Sequence, residues 1–305
     1  MRNAFLEGLV SLAESDERVM LLTGDLGFAV LEPFAARFPD RFVNCGVAEQ
    51  NMTGVATGLA EAGMIPFTYS IATFATLRPY EFIRNGPALH RLPVRIVGVG
   101  GGFDYGHNGI THFALEDYAV MRAQPGITVI APADGSQARA ALEATADEPG
   151  PLYFRISKAG APLPGLDARF RLGRAELIGS GKKAAIISIG SISHAAVAAR
   201  DLLLERGIDT TVAVVSSLNP EPVEDLADLI GAVQVVVTVE AHYRNGGLGS
   251  AVGELIAERG LHARLHRAAV DTMPVAQTGS QAFLEDRFGL SPWRLAEAVE
   301  EALGE

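Results

Sequence analysis

Two doubly wound α/β domains with mainly parallel sheets are predicted for this chain, on three observations. With 48% apolar and 20% charged residues, the composition is that of a globular protein. The 305 residues suffice for about two ordinary domains, each able to bury a core. Strand-like and helix-like runs alternate along the whole length, the rhythm of a parallel sheet covered on both faces.

Taken in order, RVMLLTGD reads as a strand, EPFAARF as a helix, RFVNCGVAEQ as a strand and NMTGVATGLAEAG as a helix. IPFTYS and VRIVGVGG read as strands around the helical LRPYEFIRNGPALH; the helical LEDYAVMRA leads to the strands TVIAPAD and PLYFRIS. KAGAPLPGLDARFRLGRAELIGSGKK follows, rich in Gly and Pro and without clear periodicity, and reads as a linker with a few short strands. The second block alternates the strands AAIISIG, DTTVAVVSS, VQVVVTVE and HARLHRAAV with helices and ends on the helix PWRLAEAVEEAL. The expected boundaries are a first domain over 1–158, a linker over 159–182 and a second domain over 183–305.

A net charge of −11 with no face-sized basic block speaks against nucleic acid as a partner. No apolar run approaches the ~18 residues of a membrane span. In MRNAFLEGLVSLAE a glutamate arrives before a signal-peptide core could form, so a cytoplasmic location is expected. The single cysteine, Cys45, excludes an internal disulfide or a cysteine metal cage and reads as a small buried filler. Glycine is abundant, yet no dinucleotide fingerprint results. Gly247 and Gly249 lack a third glycine at Val252, and Gly98 and Gly100 lack one at Phe103.

The segment NCGVAEQNMTGVATGLAEAG carries more information. Glu49 stands where a strand passes into a helix, and Gly54, Ala56, Gly58 and Ala60 keep that helix open to close approach. By itself such a glutamate is a helix N-terminal charge contributing ~0.3–1 kcal/mol. By itself His112 is a turn histidine, and His242 and Arg244 occupy a strand end before a glycine-rich turn, a common place for ligands in open α/β sheets.

Read together, GVAEQNM, ATFAT-x-R-x-x-E-x-IRN, the G-x-N-G-x-T-H-x-x-x-E-D segment ending at Asp117, and R-x-x-P-x-x-x-V-x-x-P-A-D fall in order at compatible spacing. In this the chain resembles the C-terminal half of transketolase-family thiamine diphosphate enzymes, as found in split two-subunit transketolases. Residues 1–158 resemble the pyrimidine-binding domain. The second block, with VEAHYRNGGLGSAV, is similar to the family's C-terminal domain.

The resemblance implies roles. Glu49 is the carboxylic acid beside the cofactor's pyrimidine nitrogen, in apolar surroundings that keep its proton available. Phe74 and Ile71 form the apolar wall of the aminopyrimidine pocket, Ile71 standing where the family is often aromatic. Asp25 and Arg78 are further cofactor-binding residues, Asp25 at the dimer interface. His112 faces the substrate as donor or proton relay. Asn108, beside His107, replaces an aspartate that holds a ketose hydroxyl. Arg2 matches a phosphate-binding arginine, Lys158 replaces a second, and Ala29 stands near a serine position. Gly100 replaces a substrate-binding histidine, in a loop made unusual by Phe103, Asp104, Tyr105 and His107.

No metal ligands are assigned to this chain. Leu26 stands in place of the second glycine of the family's G-D-G motif, so Mg2+ and the diphosphate are expected on a separate N-terminal subunit, within an α2β2 assembly. The implied reaction moves a two-carbon ketol unit from a ketose to an aldehyde. The alternatives are decarboxylation of a 2-oxo acid with acyl transfer, of the deoxyxylulose phosphate synthase type, and a non-catalytic assembly partner.

Overall fold

The computed structural model describes residues 1–304, arranged as two mainly parallel sheets flanked by helices. The first domain contains β1 (Val19–Thr23), β2 (Phe42–Asn44), β3 (Ile65–Ile71), β4 (Arg95–Val99), β5 (Thr128–Ile130) and β6 (Leu152–Ile156). Then come β7 (Ala175–Ile178), β8 (Ala184–Ile189), β9 (Thr210–Val215), β10 (Ser217–Asn219), β11 (Val235–Tyr243) and β12 (Arg264–Val270). The first sheet runs β10-β5-β6-β4-β3-β1-β2 and the second β12-β11-β8-β9-β7. Every residue of β1, β4, β6, β8 and β9 is buried, because helices cover both faces and no strand face is left open to solvent.

β7 is a short strand inside the stretch read as a linker with a few short strands, and it pairs antiparallel with β9, through Ala175↔Val215 to Ile178↔Val212. β10 follows β9 directly, yet it leaves its own sheet and pairs antiparallel with β5 of the other. Asn219 Nδ2 fixes it there by donating to the Ile127 carbonyl at 2.6 Å. The apolar core is accordingly continuous across the junction, where Tyr118 and Met121 share one cluster with Ile187, Leu226 and Leu248.

Local chemistry sets the helices that frame the first sheet. The helix Glu49–Glu61 buries Met52, Thr53, Ala56 and Ala60 and leaves Gly54 and Val55 exposed. The helix Gly135–Ala144 starts on Asp134, whose carboxylate accepts from the Gln137 N–H at 2.7 Å and satisfies an otherwise orphaned donor. No helix among the described residues is long and apolar enough to cross a membrane.

Candidate active site

In open parallel sheets, loops at the carboxyl ends of the strands converge on one edge. Here Gly24 and Asp25 follow β1, Glu49 follows β2, Ile71 ends β3, the loop Gly100–His112 follows β4, and Lys158 follows β6. Contacts link most of them. Glu49 is 2% exposed at the first turn of its helix. Its Oε1 accepts from Ser70 Oγ at 3.1 Å, and its Oε2 accepts from Arg78 Nη1 at 2.8 Å.

Phe74 lies on the short helix Ala72–Leu77, and the Arg78 guanidinium stacks over its ring with Cζ 3.8 Å from the centroid. A flat, nitrogen-rich group therefore already rests on Phe74 while hydrogen-bonded to the Glu49 carboxylate. The surroundings of Glu49 are thus an ion pair and a hydroxyl, not the apolar ones expected. Ile71 is the last residue of β3 and caps the helix carrying Phe74, where it is half-buried. Gly24 closes the floor, since a Cβ there would lie 3.5 Å from Glu49 Oε1 and 3.6 Å from Ser70 Oγ.

His112 packs against Phe74, the two ring centroids 5.3 Å apart in edge-to-face geometry. Thr111 Oγ1 lies 3.0 Å from His112 Nδ1, which leaves Nε2 without a protein partner among the described residues. Tyr105 comes next, its ring centroid 6.1 Å from that of His112. It carries the Lys158 ammonium 4.1 Å above its ring. Burial pushes the Tyr105 phenol upward, while the charge of Arg2 pulls it down. Arg2 opens the helix Arg2–Ser15, and its Nε is buried without a hydrogen-bond partner.

Three expected residues stand outside this chain of contacts. The Asp25 carboxylate is exposed and accepts from Asn44 Nδ2 at 2.9 Å, on backbone at φ +57°, a left-handed conformation that Asp tolerates better than most residues. His107 and Asn108 are exposed on a 3-10 turn beside Thr278 and Gly279 of the second domain. Cys45 is half-buried rather than fully buried, and its thiol is pushed up by burial. Among the described residues no three His, Cys, Asp or Glu side chains group as a metal cage.

Sequence reasoning passed over Ser70, although a hydroxyl at the buried end of β3, one residue before Ile71 of the apolar wall, was available as a signal. It also passed over the junction between the domains. There Asp117 Oδ2 accepts from Tyr153 Oη at 2.6 Å and faces Arg155 Nε at 3.2 Å. Arg155 also donates to the carbonyls of Ala114 and Ala241, each at 2.8 Å. His242, fully buried, stacks on Tyr118 and accepts the Ala119 N–H at its Nε2, while its Nδ1 donates to the Tyr243 carbonyl. Burial lowers His242 to about 4 and raises Glu240 to about 7. Arg244 pairs with Asp271 at the surface.

Comparison with known proteins gives a consistent result over nearly the whole chain. Residues 1–162 match the family model described as "Transketolase, pyrimidine binding domain", and residues 173–295 match "Transketolase, C-terminal domain". A putative transketolase C-terminal section of Methanocaldococcus jannaschii is 34% identical, covering 99% of this chain and 96% of the relative. One of the subunits of an apulose-4-phosphate transketolase from Phocaeicola vulgatus is 35% identical, covering 87% of this chain and 86% of its own length. A solved split-gene transketolase described as an inactive β4 tetramer superposes with a TM-score of 0.88 at 35% identity, over 99% of this chain and 97% of the other.

Proposed function

The chain belongs to the transketolase family, and on that premise we propose that it is the pyrimidine-binding, C-terminal subunit of a two-chain transferase. It moves a two-carbon ketol unit from a ketose donor to an aldehyde acceptor with thiamine diphosphate. The observation that carries the reading is the Glu49–Arg78–Phe74 arrangement: a planar group stacked on Phe74 and bonded to a buried carboxylate. That place suits a flat aminopyrimidine once Arg78 withdraws.

When bound, thiamine diphosphate supplies the carbon nucleophile and the electron sink of the reaction. Glu49 then shares a proton with the pyrimidine ring, held in position by Ser70. Phe74 and Ile71 exclude water from the ring's face. His112 presents its free Nε2 as donor to the oxygen on which negative charge develops, with Thr111 fixing the imidazole from the other side. Asn108 and His107 face the substrate's hydroxyls, and Arg2 and Lys158 its far end. Leu26 leaves this chain's Gly24-Asp25 segment without the second glycine of a diphosphate motif, and Asp25 is engaged by Asn44. Mg2+ and the diphosphate therefore belong to an N-terminal partner subunit, with Asp25 at the shared boundary, in an α2β2 assembly.

Glu49→Gln, assayed with that partner, tests the reading. Ketose turnover should fall at least ~100-fold, the scale of a lost proton-transfer group, while the two chains still co-elute. Activity within a few-fold of wild type would refute it. Product made from pyruvate instead of a ketose would reassign the half-reaction.

A further inference from the structure

We propose that Tyr105 is the positioning residue that sets substrate specificity at this site: its ring replaces a side chain at position 100 and holds the Lys158 ammonium ready for an oxyanion at the substrate's far end. The inference rests on the transferase reading above and deepens it.

The seating of the ring is the first observation. Gly100 has φ +77°, and a Cβ on it would lie 2.1 Å from Tyr105 Cε2. The ring and any larger residue at position 100 therefore exclude one another. The loop turn that delivers Tyr105 is held by Asp104 N donating to the Gly101 carbonyl and Gly106 N donating to the Phe103 carbonyl.

The second observation is the state of the charges around it. Lys158 Nζ sits on the ring face and donates at 3.3 Å to the Asp104 main-chain carbonyl. The Asp104 carboxylate accepts the Lys158 backbone N–H at 2.9 Å, and although the charge of Lys158 reaches that carboxylate, no ion pair between the two side chains forms among the described residues. Arg2, whose field reaches the Tyr105 hydroxyl, likewise keeps a buried Nε without a partner. Lys158 thus rests on the face of a ring that also neighbours His112, with centroids 6.1 Å apart, and the charge of Arg2 reaches the hydroxyl of the same ring. A lysine otherwise samples many rotamers, so fixing it on an aromatic face gives one stable position from which to meet an anion. The ligand chemistry is a phosphate, sulfonate or carboxylate terminus on a short sugar chain.

The test uses the complex with the N-terminal subunit and compares wild type, Tyr105→Ala, Tyr105→Phe and Gly100→Ala. Inorganic phosphate affinity is measured by calorimetry, and kcat/KM is compared for glyceraldehyde 3-phosphate and glycolaldehyde. Tyr105→Ala should weaken phosphate binding about two- to fivefold and lower the preference for the phosphorylated aldehyde by a similar factor, mainly through KM. Gly100→Ala should follow it by expelling the ring, and Tyr105→Phe should restore both quantities. Unchanged phosphate affinity in Tyr105→Ala, or a Phe variant behaving like the Ala variant, would overturn the proposal. If wild type transfers nothing to either aldehyde, the transferase reading fails, and the phosphate titration alone decides the role of Tyr105 by the same criterion.

Discussion

The molecule builds the same constellation twice, once at the strand edge of the first domain and once in the junction between the domains. At the edge, Glu49 pairs with Arg78 at 2.8 Å, Arg78 covers Phe74 at 3.8 Å, and Phe74 meets His112 with ring centroids 5.3 Å apart. In the junction, Asp117 pairs with Arg155 at 3.2 Å, Arg155 covers Tyr118 at 4.1 Å, and Tyr118 meets His242 with centroids again 5.3 Å apart. What separates them is exposure and saturation. Arg78 is 41% exposed, whereas Arg155 is 6% exposed and its Nη2 donates to the carbonyls of both Ala114 and Ala241. His112 keeps one ring nitrogen free, and His242 has both engaged by backbone. Carboxylate, arginine, aromatic ring and histidine in contact thus identify neither a site nor a scaffold. A site is the copy whose groups can change partners.

The largest effect that would break this contrast comes from Arg155→Met. Removing one partner of a buried pair strands the Asp117 charge, and a loss of about 3–5 kcal/mol in unfolding free energy is expected by denaturant titration. The matching Arg78→Met should cost less, because that arginine is 41% exposed, so water can take its place beside Glu49, which keeps its hydrogen bond from Ser70. Equal losses in the two variants would erase the distinction.

A smaller effect concerns pH. Burial raises the folded-state Glu240 to about 7, well above the ~4.3 of an unfolded glutamate. Its contribution to stability is therefore fully present below about 4 and lost as pH rises through about 7. His242 acts on the acid side. Its value of about 4, against ~6.5 unfolded, gives stability that is present above ~6.5 and lost as pH falls through about 4. Glu285, also raised to about 7, adds to the Glu240 trend. Glu240→Gln should flatten, in part, the fall in melting temperature between pH 5 and 8, and Glu285→Gln should remove a further share. A slope unchanged by Glu240→Gln would contradict the assignment.

Much of the fold was legible in the sequence because strands buried on both faces announce themselves as unbroken apolar runs. VMLLT, RIVGV and VVVTV are recognisable from composition and length alone. Short strands were expected in the stretch that holds β7, but not their position or pairing, since AELI is short and sits among Gly, Pro and Arg. Nor was the place of β10, because SLN carries no sign of which sheet it will join. At the site, motif order pointed to Glu49, Phe74 and His112, and the structure brings them within one chain of contacts. The Arg78 partnership with Glu49 was hidden, since it spans 29 residues and arises from the turn after Phe74. The Tyr105–Gly100 exclusion depends on a backbone angle that no residue spacing encodes.

The central claim is that the cofactor site is divided between two chains. It is tested most directly by calorimetric titration of thiamine diphosphate with Mg2+, first into this chain alone and then into its mixture with the N-terminal subunit. The account predicts binding only in the mixture. Tight, metal-dependent binding to the lone chain would contradict it and make this polypeptide a self-sufficient cofactor-binding unit.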